Sequence, residues 1–235
     1  MCRGSYPPAP GHNSEVNERA IVAIDGPSGA GKGTVARAVA ARLGYRHVDT
    51  GAMYRAVAWR VLDEQIDLQD ESAVAALAGS ATFDLEQGRV VIDGFDVAGA
   101  IRTPEMDRAA AAVARHPEVR RVLVARQRSL GEGGGVVMEG RDIGTAVFPD
   151  ADVKIYLDAS PEERARRRAA DPAHAAHGAK ISEVATALAE RDRSDSTRAA
   201  SPLAVAPDAL VLDTTSLPIE TVIERVLEIV RSTRR

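Results

Sequence analysis

Residues 21–34 read Ile-Val-Ala-Ile-Asp-Gly-Pro-Ser-Gly-Ala-Gly-Lys-Gly-Thr, and this stretch constrains the fold more than any other. The run from Ala20 to Ile24 has strand length and β-branched content. It stops at a Gly/Pro cluster, and a helical pattern begins after Lys32. Strand, glycine loop and helix together give G-x-x-x-x-G-K its meaning as a phosphate-binding loop. Gly26, Gly29 and Gly31 allow the backbone to turn back and aim several N–H groups at one point, where the positive end of the helix dipole adds to them. Lys32 brings a full charge that can reach the β- and γ-phosphates of a nucleotide. An ordinary strand-to-helix turn of small residues has no need of a lysine in that register.

A chain of 235 residues accommodates one α/β domain with an insert, or two small domains. With a net charge of −4, no bulk attraction to nucleic acid is expected. No apolar run approaches membrane-spanning length and no signal peptide is visible, so no membrane partner is expected. Cys2 is the only cysteine, which rules out an internal disulfide and makes a reducing cytoplasm the simplest compartment. Lysine occurs only at positions 32, 154 and 180 while arginine is abundant. That is a composition bias on its own, and individual arginines must argue for phosphate binding.

Residues 1–18, rich in Pro, Gly, Ser and Asn, are expected to form a disordered extension, leaving 19–235 for the fold. After the loop, Val35, Val39, Ala40 and Leu43 recur at helical spacing and Gly44 ends that helix. Tyr45 to Val48 predicts a strand, and Asp49-Thr50 introduces a second helix with Arg55 in its first turns. A cation there opposes the macrodipole, so Arg55 is either a solvated residue or aimed at an anion. From Ala81 the period moves toward two. Thr82–Leu85, Arg89–Ile92 and Phe95–Val97 predict three short antiparallel strands with turns at Gln87-Gly88 and Asp93-Gly94. Helices at 104–115 and 117–130, each with Pro in its first turn, follow. Residues 79–128 thus read as an inserted subdomain.

Val136–Met138 and Val153–Leu157 are buried strands, and Leu210–Leu212 is the last. Ser160 caps a helix carrying Arg164, Arg166, Arg167 and Arg168. Residues 171–178 read as a flexible link, 181–191 as a helix and 217–230 as an amphipathic closing helix. Five short apolar strands alternating with helices imply a parallel sheet covered on both faces, with ligands at the carboxyl ends of the strands. The loop, Asp49, the Glu139-Gly140-Arg141-Asp142 stretch and Asp158 all fall at that edge.

Four separated stretches together resemble the bacterial cytidylate kinases of the long form: residues 24–34; Asp49-Thr50-Gly51-Ala52-Met53-Tyr54-Arg55; Glu139-Gly140-Arg141-Asp142-Ile143-Gly144-Thr145; and Arg191-Asp192-Arg193-Ser194-Asp195-Ser196-Thr197-Arg198. The resemblance runs from about Ala20 to the end. It implies an α/β P-loop NTPase fold: a five-stranded parallel sheet flanked by helices, with a monophosphate-binding insert (79–128) that contains a small antiparallel sheet, and a lid at about 160–180. It further implies transfer of the γ-phosphoryl group of ATP to CMP or dCMP in pyrimidine metabolism, by a cytoplasmic enzyme expected to be monomeric. ATP is then held by Gly26, Pro27, Ser28, Gly29, Ala30, Gly31, Lys32, Gly33 and Thr34, with Arg164 and Arg167 of the lid. The acceptor is held by Asp49, Thr50, Tyr54, Arg55, Arg120, Arg141, Asp142, Arg191, Asp195 and Arg198. Within that set Arg55, Arg141 and Arg198 match the acceptor-phosphate grip, Arg120 and Asp142 the cytosine reader, and Arg191 and Asp195 the sugar contacts. Lys32, Arg141 and Arg198 carry the catalytic charge.

Two departures bear on this resemblance. Ala111 stands where many relatives have a serine that touches the base, and Glu139 where some have Asp. In addition, Gly33 replaces the usual hydroxyl residue of the phosphate-binding loop, with Thr34 one place later. Mg²⁺ is therefore expected to be held through water and phosphate oxygens, near Glu139, with no direct protein ligand. The competing readings are another small-molecule kinase, such as an adenylate or shikimate kinase, and a non-catalytic protein, either a nucleotide-dependent switch or a nucleic-acid-binding P-loop protein. The long insert and the Arg141-Asp142 pair argue against the first. The charge balance and the lack of aromatic stacking clusters argue against the second.

Overall fold

A computed structural model of the chain describes residues 19–85, 88–172, 174 and 178–233. The expected N-terminal extension, Gln87 of the first hairpin turn and half of the 171–178 link lie outside the described residues. Five parallel strands form the main sheet: β1 (Ile21–Asp25), β2 (Arg46–Asp49), β6 (Val136–Glu139), β7 (Val153–Asp158) and β8 (Leu210–Asp213). Their spatial order is β2-β6-β1-β7-β8, so β1 lies in the centre between β6 and β7. Helices α1 (Lys32–Leu43) and α8 (Ile219–Thr233) cover one face, closing over Val22, Ile24, Val137, Ile155 and Leu157. On the other face Ala23, Val48, Val136 and Met138 meet Ile143 and Val147 of a single π-helical turn, Ile143–Val147.

The second apolar core is built from α2 (Thr50–Asp63), α3 (Glu71–Ser80), α4 (Pro104–Val113), α5 (Pro117–Gly131) and a small antiparallel sheet of β3 (Phe83–Asp84), β4 (Val91–Ile92) and β5 (Phe95–Asp96). Helix α3 has no counterpart in the expected elements. It starts from Asp70, whose side chain accepts the Ala73 N–H, and its small residues gave a weak periodic signal. The three strands are two residues each, shorter than the alternating patterns suggest. The Asp93-Gly94 turn has positive φ at both residues, the requirement of a tight hairpin. Helices α6 (Pro161–Ala170) and α7 (Ile181–Thr197) pack against each other. Helix α7 runs on to Thr197 instead of stopping at Arg191, because buried Asp195 is drawn to arginines from elsewhere.

Each main-sheet strand ends on a carboxylate: Asp25, Asp49, Glu139, Asp158 and Asp213. Strand ends leave backbone donors that the ladder no longer satisfies. Asp49 Oδ1 accepts the Ala52 N–H at 2.9 Å and caps α2, Asp158 accepts the Ala159 N–H, and Asp213 accepts the Thr215 N–H. The chain then turns sharply after β1. Gly26 has φ +147°, and a Cβ there would overlap the Leu157 carbonyl oxygen of β7.

Helix α8 is held by its apolar seam. Leu227 is 1% exposed, whereas Glu224 pairs with Arg42 at the surface. Leu227→Ala is expected to lower the unfolding free energy by about 2–5 kcal/mol, and Glu224→Ala to leave the urea midpoint unchanged. Urea denaturation of both variants checks this.

Candidate active site

The phosphate-binding loop crosses the carboxyl edge of β1, and Gly31 begins α1 with φ +92°. Lys32, which the sequence pattern left outside the core, is 6% exposed, and its Nζ donates to the Pro27 carbonyl at 2.8 Å. Burial pushes its ammonium well below the usual range, Arg141 adds to that push, and Glu139 opposes it. An arriving polyanion supplies the counter-charge that this lysine lacks. The loop is braced from two sides. Arg164 of α6 donates through Nη1 to the Ser28 carbonyl at 3.1 Å and pairs with Asp192 of α7, while Asp192 accepts the Ser28 N–H at 3.2 Å. Arg167 donates to both oxygens of Thr214, and Arg168 to the Ser28 hydroxyl. Arg164 thus directs Nε and Nη1 into protein carbonyls.

Gly33 faces Glu139. A Cβ at position 33 would come within 2.9 Å of Glu139 Oε1, so the carboxylate occupies the space that a side chain there would need. His47 Nε2 lies 3.1 Å from the same oxygen. Thr50 donates its hydroxyl to the Glu139 carbonyl at 2.7 Å, fixing the strand end.

The remaining site residues converge on one cleft of about 740 Å³, lined by the loop, α2, α4, the 139–142 stretch, α6 and α7. Asp142, 5% exposed, pairs with Arg120 of α5 and with Arg198 Nη2 at 3.2 Å. Tyr54 lies under the Arg120 guanidinium, ring centroid 5.5 Å away, and burial pushes its phenol up to about 12. Arg141 Nε donates to Asp195 at 2.8 Å. Burial works against ionisation of Asp195, and Arg141 and Arg191 outweigh it, so its carboxyl stays below the usual range. Arg55 pairs with Asp49 at 3.0 Å, so it is not a freely solvated residue in the first turns of α2. The Nε donors of Arg55, Arg120 and Arg191 are buried with no protein partner among the described residues, as groups awaiting a ligand would be.

Four side chains in or beside this cleft were not singled out from the sequence: Asp25, His47, Asp107 and Asp192. Asp25 and Asp192 lie inside stretches that the family resemblance covers. Asp107 on α4 carries no local signal. It accepts from Arg191 Nη1 at 2.5 Å and lies 3.1 Å from His174 Nε2, joining α4, α7 and the segment after α6. Among the described residues, no group of three or more His, Cys, Asp or Glu is arranged to hold a metal directly, and no helix is long and apolar enough to cross a membrane.

The sequence pattern of the family described as "Cytidylate kinase" matches residues 22–232. The chain belongs to the cytidylate kinase family. Curated members include "Cytidylate kinase" of Solibacter usitatus (strain Ellin6076), 51% identical over 92% of this chain and 94% of that one, and "Cytidylate kinase" of Geobacillus thermodenitrificans (strain NG80-2), 49% identical over 92% and 98%. The solved structure of an uncharacterized protein from Eubacterium ventriosum ATCC 27560 shares the fold, with a TM-score of 0.51 at 10% identity over 91% of this chain and 99% of that one. In this cytidylate kinase-family chain the P-loop and the Arg120–Asp142–Arg198 cluster face each other across a single cleft.

Burial also opposes ionisation of Asp107, but the His174 hydrogen bond together with Arg191, Arg168 and Arg55 holds its carboxyl well below the usual range. Its folded value is depressed, so the stability it contributes is present above about pH 4 and is lost as pH falls further. Asp107→Asn is expected to lower stability at pH 7 by about 2–3 kcal/mol. That deficit should shrink toward zero in urea titrations carried below about pH 4.

Proposed function

We propose that this chain transfers the γ-phosphoryl group of ATP to CMP or dCMP, giving ADP and CDP or dCDP. The observation that carries the reading is the buried Asp142, flanked by Arg120 and Arg198 and set across the cleft from Lys32. The family membership supports the same reaction. An oxygen of the acceptor phosphate forms a bond to the γ-phosphorus of ATP as the bond to the β,γ-bridging oxygen breaks, and ADP leaves with that electron pair. Such a transfer asks the protein for alignment and charge neutralisation, with little covalent work. The loop N–H groups of residues 26–34 and Lys32 hold the donor. Arg55, Arg141 and Arg198 grip the acceptor phosphate, and Arg191 and Asp195 sit by the sugar. Arg164 steadies the loop from behind, and Arg167 closes over the donor with the rest of α6.

Mg²⁺ supplies charge neutralisation at the β- and γ-phosphates when bound with ATP. Glu139 beside Gly33 and the Thr34 hydroxyl suit a hard cation reached through its water shell. We take a monomer as the working unit, and a cytoplasmic place in pyrimidine nucleotide metabolism follows from the proposed substrates.

Lys32→Ala is expected to reduce kcat by about a hundredfold or more, with an unchanged circular dichroism spectrum. A coupled ADP-release assay measures it, and equal turnover in the variant would refute the assignment.

Base choice is set by hydrogen-bond polarity. The exocyclic amine of cytosine donates and an ionised carboxylate only accepts, so Asp142 suits cytosine while Arg120 donates to its O2 and N3. Uracil offers a carbonyl and an N3 donor at those places, leaving buried groups unpaired. Asp142→Asn is expected to lower kcat/KM for CMP by about one to two decades and to narrow the CMP/UMP ratio. An unchanged ratio with reduced stability would make Asp142 a structural residue.

A further inference from the structure

The side chain of Asp25 has no partner in the β1 ladder and no place in the roles assigned above. Successive residues of β1 point to opposite faces. Val22 and Ile24 enter the core under α1 and α8, so Ala23 and Asp25 point to the face that carries the π-helical turn. There Asp25 is 5% exposed. Its Oδ1 accepts the Ile143 N–H and its Oδ2 the Gly144 N–H, both at 2.8 Å. Those two amides follow directly after Arg141 and Asp142. The same stretch is tied at two earlier points, by the Gly140 N–H to the Ile24 carbonyl at 3.0 Å and by Thr50 to the Glu139 carbonyl. Gly144 fits closely, since a Cβ there would lie 3.2 Å from Lys154 Cδ and 3.4 Å from Asp25 Oδ2.

We infer that Asp25 is a positioning residue: its carboxylate, bonded to the Ile143 and Gly144 amides, holds Arg141 and Asp142 in register with the phosphate-binding loop that begins at Gly26. One buried group thereby fixes the donor loop and the acceptor-reading pair to a common point at the end of β1. The inference rests on the role proposed for Arg141 and Asp142. The groups that face Asp25 are Asp142 in the acceptor stretch, Lys32 at the start of α1 and Tyr156 on β7, with the Lys154 stem beside Gly144. Burial raises the Asp25 carboxyl to about 6, the Gly144 and Ile143 amides oppose the rise, and Asp142 adds to it. Protonation converts one oxygen into a donor facing an N–H, so one of the two bonds is lost as pH falls through that value.

The test is steady-state kinetics of the full chain and of Asp25→Asn, with CMP and ATP varied separately between about pH 5.5 and pH 8. The comparison of the two proteins cancels titration of the substrates' own phosphates. At the upper end, Asp25→Asn is expected to lower kcat/KM for CMP by about tenfold while KM for ATP stays within about twofold. The wild-type advantage should shrink toward one at the lower end. A KM for ATP raised as much as the KM for CMP, a ratio that does not change with pH, or no loss at all would overturn the inference. Amide resonances of Ile143 and Gly144 in the ¹⁵N-labelled wild-type chain supply a second readout that needs no variant. They should shift together with a midpoint near pH 6, and resonances that stay fixed would equally overturn it. Absence of CMP turnover by the wild-type chain would instead remove the proposed reaction, and the amide titration would still decide the clamp.

Discussion

Lys32, Arg55, Arg141, Arg191 and Arg198 crowd into one partly buried cleft, where like charges repel more strongly than they would in water. The fold tolerates this because Asp49, Asp107, Asp142 and Asp195 are interleaved among them, each within ion-pair distance of at least one guanidinium. The carboxylates keep the guanidiniums in place before any phosphate arrives. Their pairs join α2, α4, α5, α7 and the 139–142 stretch, so neutralisation and assembly of the site are one process. In the proposed reaction the nucleotide phosphates would meet donors already oriented. Reorganisation that such a transition state would otherwise require would then be completed during folding.

The same logic explains why the insert packs where it does. Helix α4 has an apolar side buried in its own core and presents Asp107 to α7. Helix α5 sends Arg120 across to Asp142 with Tyr54 beneath it. Neither link is strong against desolvation by itself, but together they set the distance between the Arg120–Asp142 end of the cleft and the loop of residues 26–34.

Much of this was legible in the sequence because its signals are local. The loop from Gly26 to Thr34, the carboxyl-edge placement of Asp49 and Asp142, the Ser160 cap and the five parallel strands all follow from spacing and turn chemistry within a few residues. The position of Arg55 could be narrowed to two alternatives, and its pair with Asp49 removes the solvated one. What was not legible depends on partners far along the chain. Asp107 looks like an ordinary surface acid of an amphipathic helix until α7 delivers Arg191. Lys32 looks solvated until its own loop folds over it. The small residues of α3 and the two-residue strands of the insert gave too little periodicity to fix their ends, and the length of α7 is set by Asp195 meeting Arg141 rather than by any stop signal.

Gly33 and Glu139 are distant in sequence and belong to different elements, yet the carboxylate fills the volume that a side chain at 33 would take. The two positions therefore share one volume beside the loop. A side chain at 33 would have to push aside the flexible end of the acid, whereas glycine leaves that acid where it stands. Oxygen beside the loop is thus delivered from the neighbouring strand, and the bare backbone at 33 is what gives it room.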